Sequence, residues 1–335
     1  MRCPARGIDR REFVRTVSTG LAVLPVLGVD VFGQTAAPRR SRVVLVRTTD
    51  RKRGVTEALK LMDLKGMAGR RVVLKPNFNS ADETPGGTHN DTLSQLVSEI
   101  QARNARSITL GESSGGGDGN TRTVMEKKGT FDLARDQRFD IVDFEQIPQS
   151  DWVKFGPGGT NWPEGFFLPR LVANSEYTVA TCCLKTHRVG VYTMALKLSV
   201  GLTPKPIRRT TMHASPNVRR MIAELNSGWK PNLIVMDGIA AFTDGGPAQG
   251  ELKMGNVMIA GDDRVAVDAV GLAMLKSLGA NQSIMGRKIF EQEQMARAVE
   301  LKLGASGPDE IEIVTPPDGE SRALADTLRS ILAQG

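Results

Sequence analysis

Short apolar runs and amphipathic segments alternate along almost the whole chain, and this pattern constrains the fold more than any single residue. Residues 71–74 and 107–110 read as buried strands. Between them, residues 90–103 carry Leu93, Leu96, Val97 and Ile100 on one helical face, with Thr88 or Asn90 placed to cap the helix. The same order recurs. Strands are expected at 42–46, 139–142, 233–236, 257–260 and 311–314. Helices are expected at 55–62, 121–128, 218–225, 265–278 and near 290–303. Such alternation predicts an α/β fold, Rossmann-like: mainly parallel sheet covered by helices, with one cleft at the strand C-terminal ends. Residues 41–335 are expected to form a single domain, or two lobes around that cleft. Residues 151–169, rich in Gly and Pro, read as an extended hairpin over the site.

Residues 1–33 read as a cleaved targeting signal, followed by a linker over 34–40. Arg10-Arg11 precedes Phe13, and a weakly apolar stretch at 17–29 follows. This layout resembles a twin-arginine export signal, which implies the Tat export machinery as a partner and the periplasm as the destination. The stretch is shorter than the roughly 20 residues a spanning helix needs, so no stable membrane anchor is expected. The formal charge of +7 falls to +5 without residues 1–33. Aromatic residues make up 5 % of the chain, too few for stacking platforms, which argues against nucleic acid and for a small anionic ligand. After removal of the signal only the adjacent Cys182 and Cys183 remain, reading as small hydrophobes in a buried strand. With no Cys-x-x-Cys pair, no iron–sulfur cluster is expected on this chain.

The chemistry-bearing residues gather after the strands. The run at 175–183 reads as a strand, so Lys185, Thr186 and His187 would leave its end, where α/β proteins bind ligands. Lys75 and Asn77 follow 71–74, and Glu112, Ser113 and Ser114 open a glycine-rich loop after 107–110, a setting suited to phosphate. Lys197 lies in an apolar context that a solvated surface lysine does not explain. With Lys75, Lys185 and Arg208 it could neutralise a carboxylate or phosphate. The three histidines, His89, His187 and His213, lie in three separate loops; with Asp237 they could hold a transition metal, although no local His-x-x-x-His spacing is present. Alternatively they are hydrogen-bonding loop residues. Asp263 is placed to cap the helix that follows it.

Several of these segments form an ordered set: Leu74-Lys75-Pro76-Asn77, Thr88-His89, Gly111-Glu112-Ser113-Ser114-Gly115, Leu184-Lys185-Thr186-His187, Ala195-Leu196-Lys197, Asp237-Gly238 and Ala266-Val267-Asp268-Ala269. In order and spacing they resemble the family known as domain of unknown function 362 (DUF362), over nearly all of residues 41–315. The chain departs from that pattern at Cys182-Cys183 and at Leu198. The arrangement is also distantly similar, by pattern alone, to the N-terminal part of nickel-pincer lactate racemases. Together these readings predict an exported enzyme or binding protein for a small anion. His187 would be its acid or base and Lys185 its anion anchor, with Glu112 also catalytic. The alternative is a non-catalytic accessory protein that carries a cofactor or serves redox partners.

Overall fold

A computed structural model describes residues 40–115 and 119–335. Twelve strands follow one another among the described residues: β1 (Ser41–Arg47), β2 (Arg71–Lys75), β3 (Ser107–Glu112), β4 (Asp140–Asp143), β5 (Trp152–Phe155), β6 (Phe166–Pro169), β7 (Tyr177–His187), β8 (Val191–Thr193), β9 (Leu233–Gly245), β10 (Gly250–Met254), β11 (Val257–Gly261) and β12 (Ile311–Val314). Ten of them build one sheet, whose main path runs β12-β1-β11-β9-β7-β2-β3-β4. All neighbours on this path are parallel except β11, which runs against both β1 and β9. β8 and β10 are antiparallel additions to β7 and β9. The expected mainly parallel α/β architecture is the one observed.

Alternation along the central strands sorts their side chains onto two faces. Val43, Leu45, Ile234, Met236, Val257 and Ile259 pack into one apolar cluster. Their immediate neighbours Val44, Val46, Leu233, Val235, Met258 and Ala260 pack into another. Helices Arg51–Leu61 and Asn90–Ala102 cover the second face through Val55, Leu59, Leu93 and Leu96. Helices Val218–Leu225, Arg264–Ser277 and Gly319–Gln334 cover the first. The sheet is thus buried on both sides, as parallel strands require.

Four local expectations change. β7 does not stop before Lys185: Lys185, Thr186 and His187 continue the strand by pairing with Thr193, Tyr192 and Val191 of β8. The cap of helix Asn90–Ala102 is His89, whose Nδ1 accepts from the Asp91 N–H at 3.0 Å, rather than Thr88 or Asn90. Helix Thr130–Gln137 and the C-terminal helix Gly319–Gln334 add to the expected set. The helix expected near 290–303 is confined to Glu293–Glu300. Asp263 caps helix Arg264–Ser277 as expected, accepting from the Val265 and Ala266 N–H groups. The pair β5 and β6 is a separate antiparallel hairpin. No helix among the described residues is long and apolar enough to cross a membrane.

Candidate functional site

A small cavity of about 30 Å³ opens where β2 and β3 end, under the segment that follows β8. β2 ends at Lys75 because Pro76 has no N–H to offer the sheet and holds its predecessor extended. The Lys75 ammonium turns back to donate to the Pro76 carbonyl at 2.6 Å and to Glu112 Oε1 at 2.7 Å. Glu112 closes β3 and is tied down further by the Ser113 N–H at 2.8 Å and the Phe78 N–H at 2.9 Å. Both members of this ion pair are 2 % exposed. Burial pulls the Lys75 ammonium below its ordinary pKa, while the Glu112 charge works against that pull. Such a pair gains little net stability but is costly to break, because the survivor is left as a lone buried charge.

The opposite wall comes from residues 193–208. The 3₁₀ segment Leu196–Leu202 carries Lys197 and Gly201. Gly201 packs so closely on the ion pair that a Cβ there would sit 2.6 Å from Glu112 Oε1 and 2.9 Å from Lys75 Nζ. Gly190 makes room in the same way for the stem of Lys197, since a Cβ would approach its Cε to 2.9 Å. Arg208 opens a π turn, Arg208–Met212, an irregularity often found at functional sites. Its guanidinium donates to the Ser113 carbonyl at 2.9 Å and to the Ser113 hydroxyl. Its Nε is buried without an acceptor.

Lys197 stands apart. Among the described residues its ammonium has neither a hydrogen-bond acceptor nor an ion-pair partner, yet it lines the cavity. Burial, aided by the nearby Lys185 and Arg208 charges, brings its pKa down to about 7. Burial also lowers Arg208 to about 10, against the pull of Glu112. Asn77 Oδ1 and Thr193 Oγ1, on the same wall, are buried without partners. Orphaned buried polar atoms are uncommon and call for an occupant such as an ion, a water or a ligand.

The cavity therefore brings together Lys75, Asn77, Glu112, Ser113, Lys197 and Arg208 from the sequence candidates. The others lie outside its wall. Ser114 is buried beside it, its N–H donating to Thr121 Oγ1. Lys185 is fully buried and donates to the carbonyls of Gly86 at 2.6 Å and Pro247 at 3.0 Å. It clamps two loops together, and burial lowers its pKa to about 8. His187 Nδ1 accepts from the Val189 and Gly190 N–H groups, both at 3.0 Å. A proton on that nitrogen would face two donors. Burial and the charges of Lys197 and Lys185 push the ring the same way, well below its usual pKa. His187 thus lies outside the cavity wall, its Nδ1 taken up by the turn between β7 and β8.

The expected metal set does not assemble. His89 lines a separate surface pocket with Arg51 and Lys128. Asp237 Oδ2 is occupied by Arg51 Nε at 2.8 Å and the Thr92 hydroxyl at 2.9 Å. His213 follows the π turn, where burial and Lys197 lower its pKa. Among the described residues no three His, Cys, Asp or Glu side chains gather closely enough to hold a metal ion. Residues 116–118 of the glycine-rich loop lie outside the described residues, and so does the Arg10-Arg11 signal.

Asp268 is a positioning residue, named in the ordered set of segments but given no role from the sequence. Wholly buried in helix Arg264–Ser277, it accepts from the Ala195 N–H at 2.7 Å and the Leu196 N–H at 3.0 Å, the two residues before Lys197. Its signal was present, as a lone acid inside the apolar run 265–275, where a charge is rarely found unless it is paired. Thr193 and Gly201 left no such signal.

A family model described as domain of unknown function (DUF362) matches residues 72–273. No curated protein matches the chain. Among solved structures, the lactate racemase apoprotein from Thermoanaerobacterium thermosaccharolyticum aligns over 85 % of each chain, with 10 % identity and a TM-score of 0.45.

Proposed function

This chain belongs to the DUF362 family, and we propose that it binds a small anion in the cavity between Lys75, Lys197 and Arg208. One observation carries the reading: a half-buried lysine without a counter-charge among the described residues, lining a cavity whose wall also holds buried, unpartnered polar atoms. Lys75 is already neutralised by Glu112, so an incoming anion meets Lys197 and Arg208 as its effective charges. An ammonium held at about 7 is also poised to give or take a proton near neutrality, which favours an enzyme over a passive carrier. Lys197 replaces His187 as the proton-carrying group in this reading.

Calorimetric titration of the full chain with a panel of small oxyanions tests the proposal, with Lys197→Met as the control. Loss of one charge-assisted contact should weaken binding by about 1.5–3 kcal/mol. Equal binding by parent and variant would remove Lys197 from the site. We also propose that the chain is exported through its Arg10-Arg11 segment. Periplasmic accumulation of an Arg10→Lys, Arg11→Lys double variant at the parent level would refute that.

A further inference from the structure

The cavity wall is not cationic throughout. Glu112 forms part of it, and its two oxygens are unequally served. Oε1 accepts from Lys75 at 2.7 Å and from the Ser113 N–H at 2.8 Å, whereas among the described residues Oε2 accepts only from the Phe78 N–H at 2.9 Å. A carboxylate oxygen has room for two donors, so one position on Oε2 is open. Asn77 Oδ1, on the same wall, is buried with no donor among the described residues. Exchanging the Asn77 amide atoms would leave the demand of Glu112 in place. Lining the same cavity are two donors without an acceptor among the described residues: the half-buried Lys197 ammonium and the buried Arg208 Nε. An occupant that satisfies both sets must accept hydrogen bonds on one side and donate on the other.

Resting on the anion reading above, we propose that the ligand is an oxyanion that carries its own hydroxyl, either a hydrogen phosphate or a hydroxycarboxylate. Its charged oxygens meet Lys197 and Arg208, and its one hydroxyl hydrogen is donated to Glu112 Oε2. A fully deprotonated anion has no hydrogen for that side and sets oxygen against carboxylate, so like charges repel. The cavity of about 30 Å³ has room for about two water-sized groups, which restricts the occupant to the smallest oxyanions.

The test is calorimetry on the full chain near neutral pH with two matched pairs, inorganic phosphate against sulfate and glycolate against acetate. Sulfate is the more highly charged of its pair, so charge alone predicts that it wins. The proposal predicts that the hydroxyl-bearing member of at least one pair binds about tenfold more tightly, about 1.4 kcal/mol. The tighter of phosphate and glycolate then names the source of the group. Binding of sulfate and acetate as tight as that of their partners would overturn the hydroxyl requirement and leave the anion site standing. Failure of all four probes to bind would overturn both.

Discussion

In the proposed anion site Lys197 carries most of the chemistry. Its lowered pKa of about 7 means that the folded protein disfavours the ammonium, so its contribution to stability grows from about pH 7 upward and is lost as pH falls through that value. Lys185, lowered to about 8, acts in the same direction. The ligand-free chain is therefore expected to gain stability between pH 7 and about pH 10, as urea midpoints at fixed salt will measure. Anion affinity should run the other way. A bound anion favours the ammonium, so affinity should fall as pH rises above about 7, and Lys197→Met should flatten that slope in calorimetric titrations. Gly201→Ala probes the same site by volume. The new methyl meets the Lys75–Glu112 pair at under 3 Å, and overpacking of this kind costs about 1–3 kcal/mol. Weaker anion binding should accompany the loss of urea stability.

At the scale of elements, Asp268 and Asp237 are two buried carboxylates that organise backbone rather than substrate. Asp268 holds the start of segment Leu196–Leu202, and burial raises its pKa to about 7. A raised acid contributes stability that is full below its unfolded pKa near 4 and lost as pH rises through about 7. Asp268→Asn should therefore compare worst with the parent near pH 5 and improve relative to it by pH 8, measured by urea unfolding at both values. Asp237 ties helices Arg51–Leu61 and Asn90–Ala102 to β9 through Arg51 and Thr92. Asp237→Ala leaves Arg51 without its partner, and a loss of about 3 kcal/mol is expected in the same assay.

The strand-helix alternation was legible because each segment carries its own periodicity. Lys75, Glu112 and Lys197 were legible as candidate site residues because a charge set against an apolar run is costly to bury unless it meets a partner or a ligand. The split between Lys185 and Lys197 was not legible. It depends on β8, three residues long, which carries β7 past Lys185 and turns that ammonium onto the carbonyls of Gly86 and Pro247. Pairing between strands is a tertiary event that no window of sequence reports. Helix Gly319–Gln334 is faint for a local reason: its buried stripe is Ser321, Ala325, Leu328 and Leu332, and two of those four are small.

At the scale of the whole molecule, the N-terminal strand sits inside the sheet rather than at its edge. β1 lies between β11 and β12, both drawn from the last quarter of the chain. A nascent polypeptide emerging at about 5–20 residues per second must therefore carry β1 unpaired for tens of seconds before its two neighbours exist. Strands β2, β3 and β4 have one another as neighbours soon after they emerge, whereas β1 must wait for residues 257–261 and 311–314. A transcript truncated before codon 311 would yield a protein whose first strand keeps one naked edge, a natural handle for chaperones and proteases.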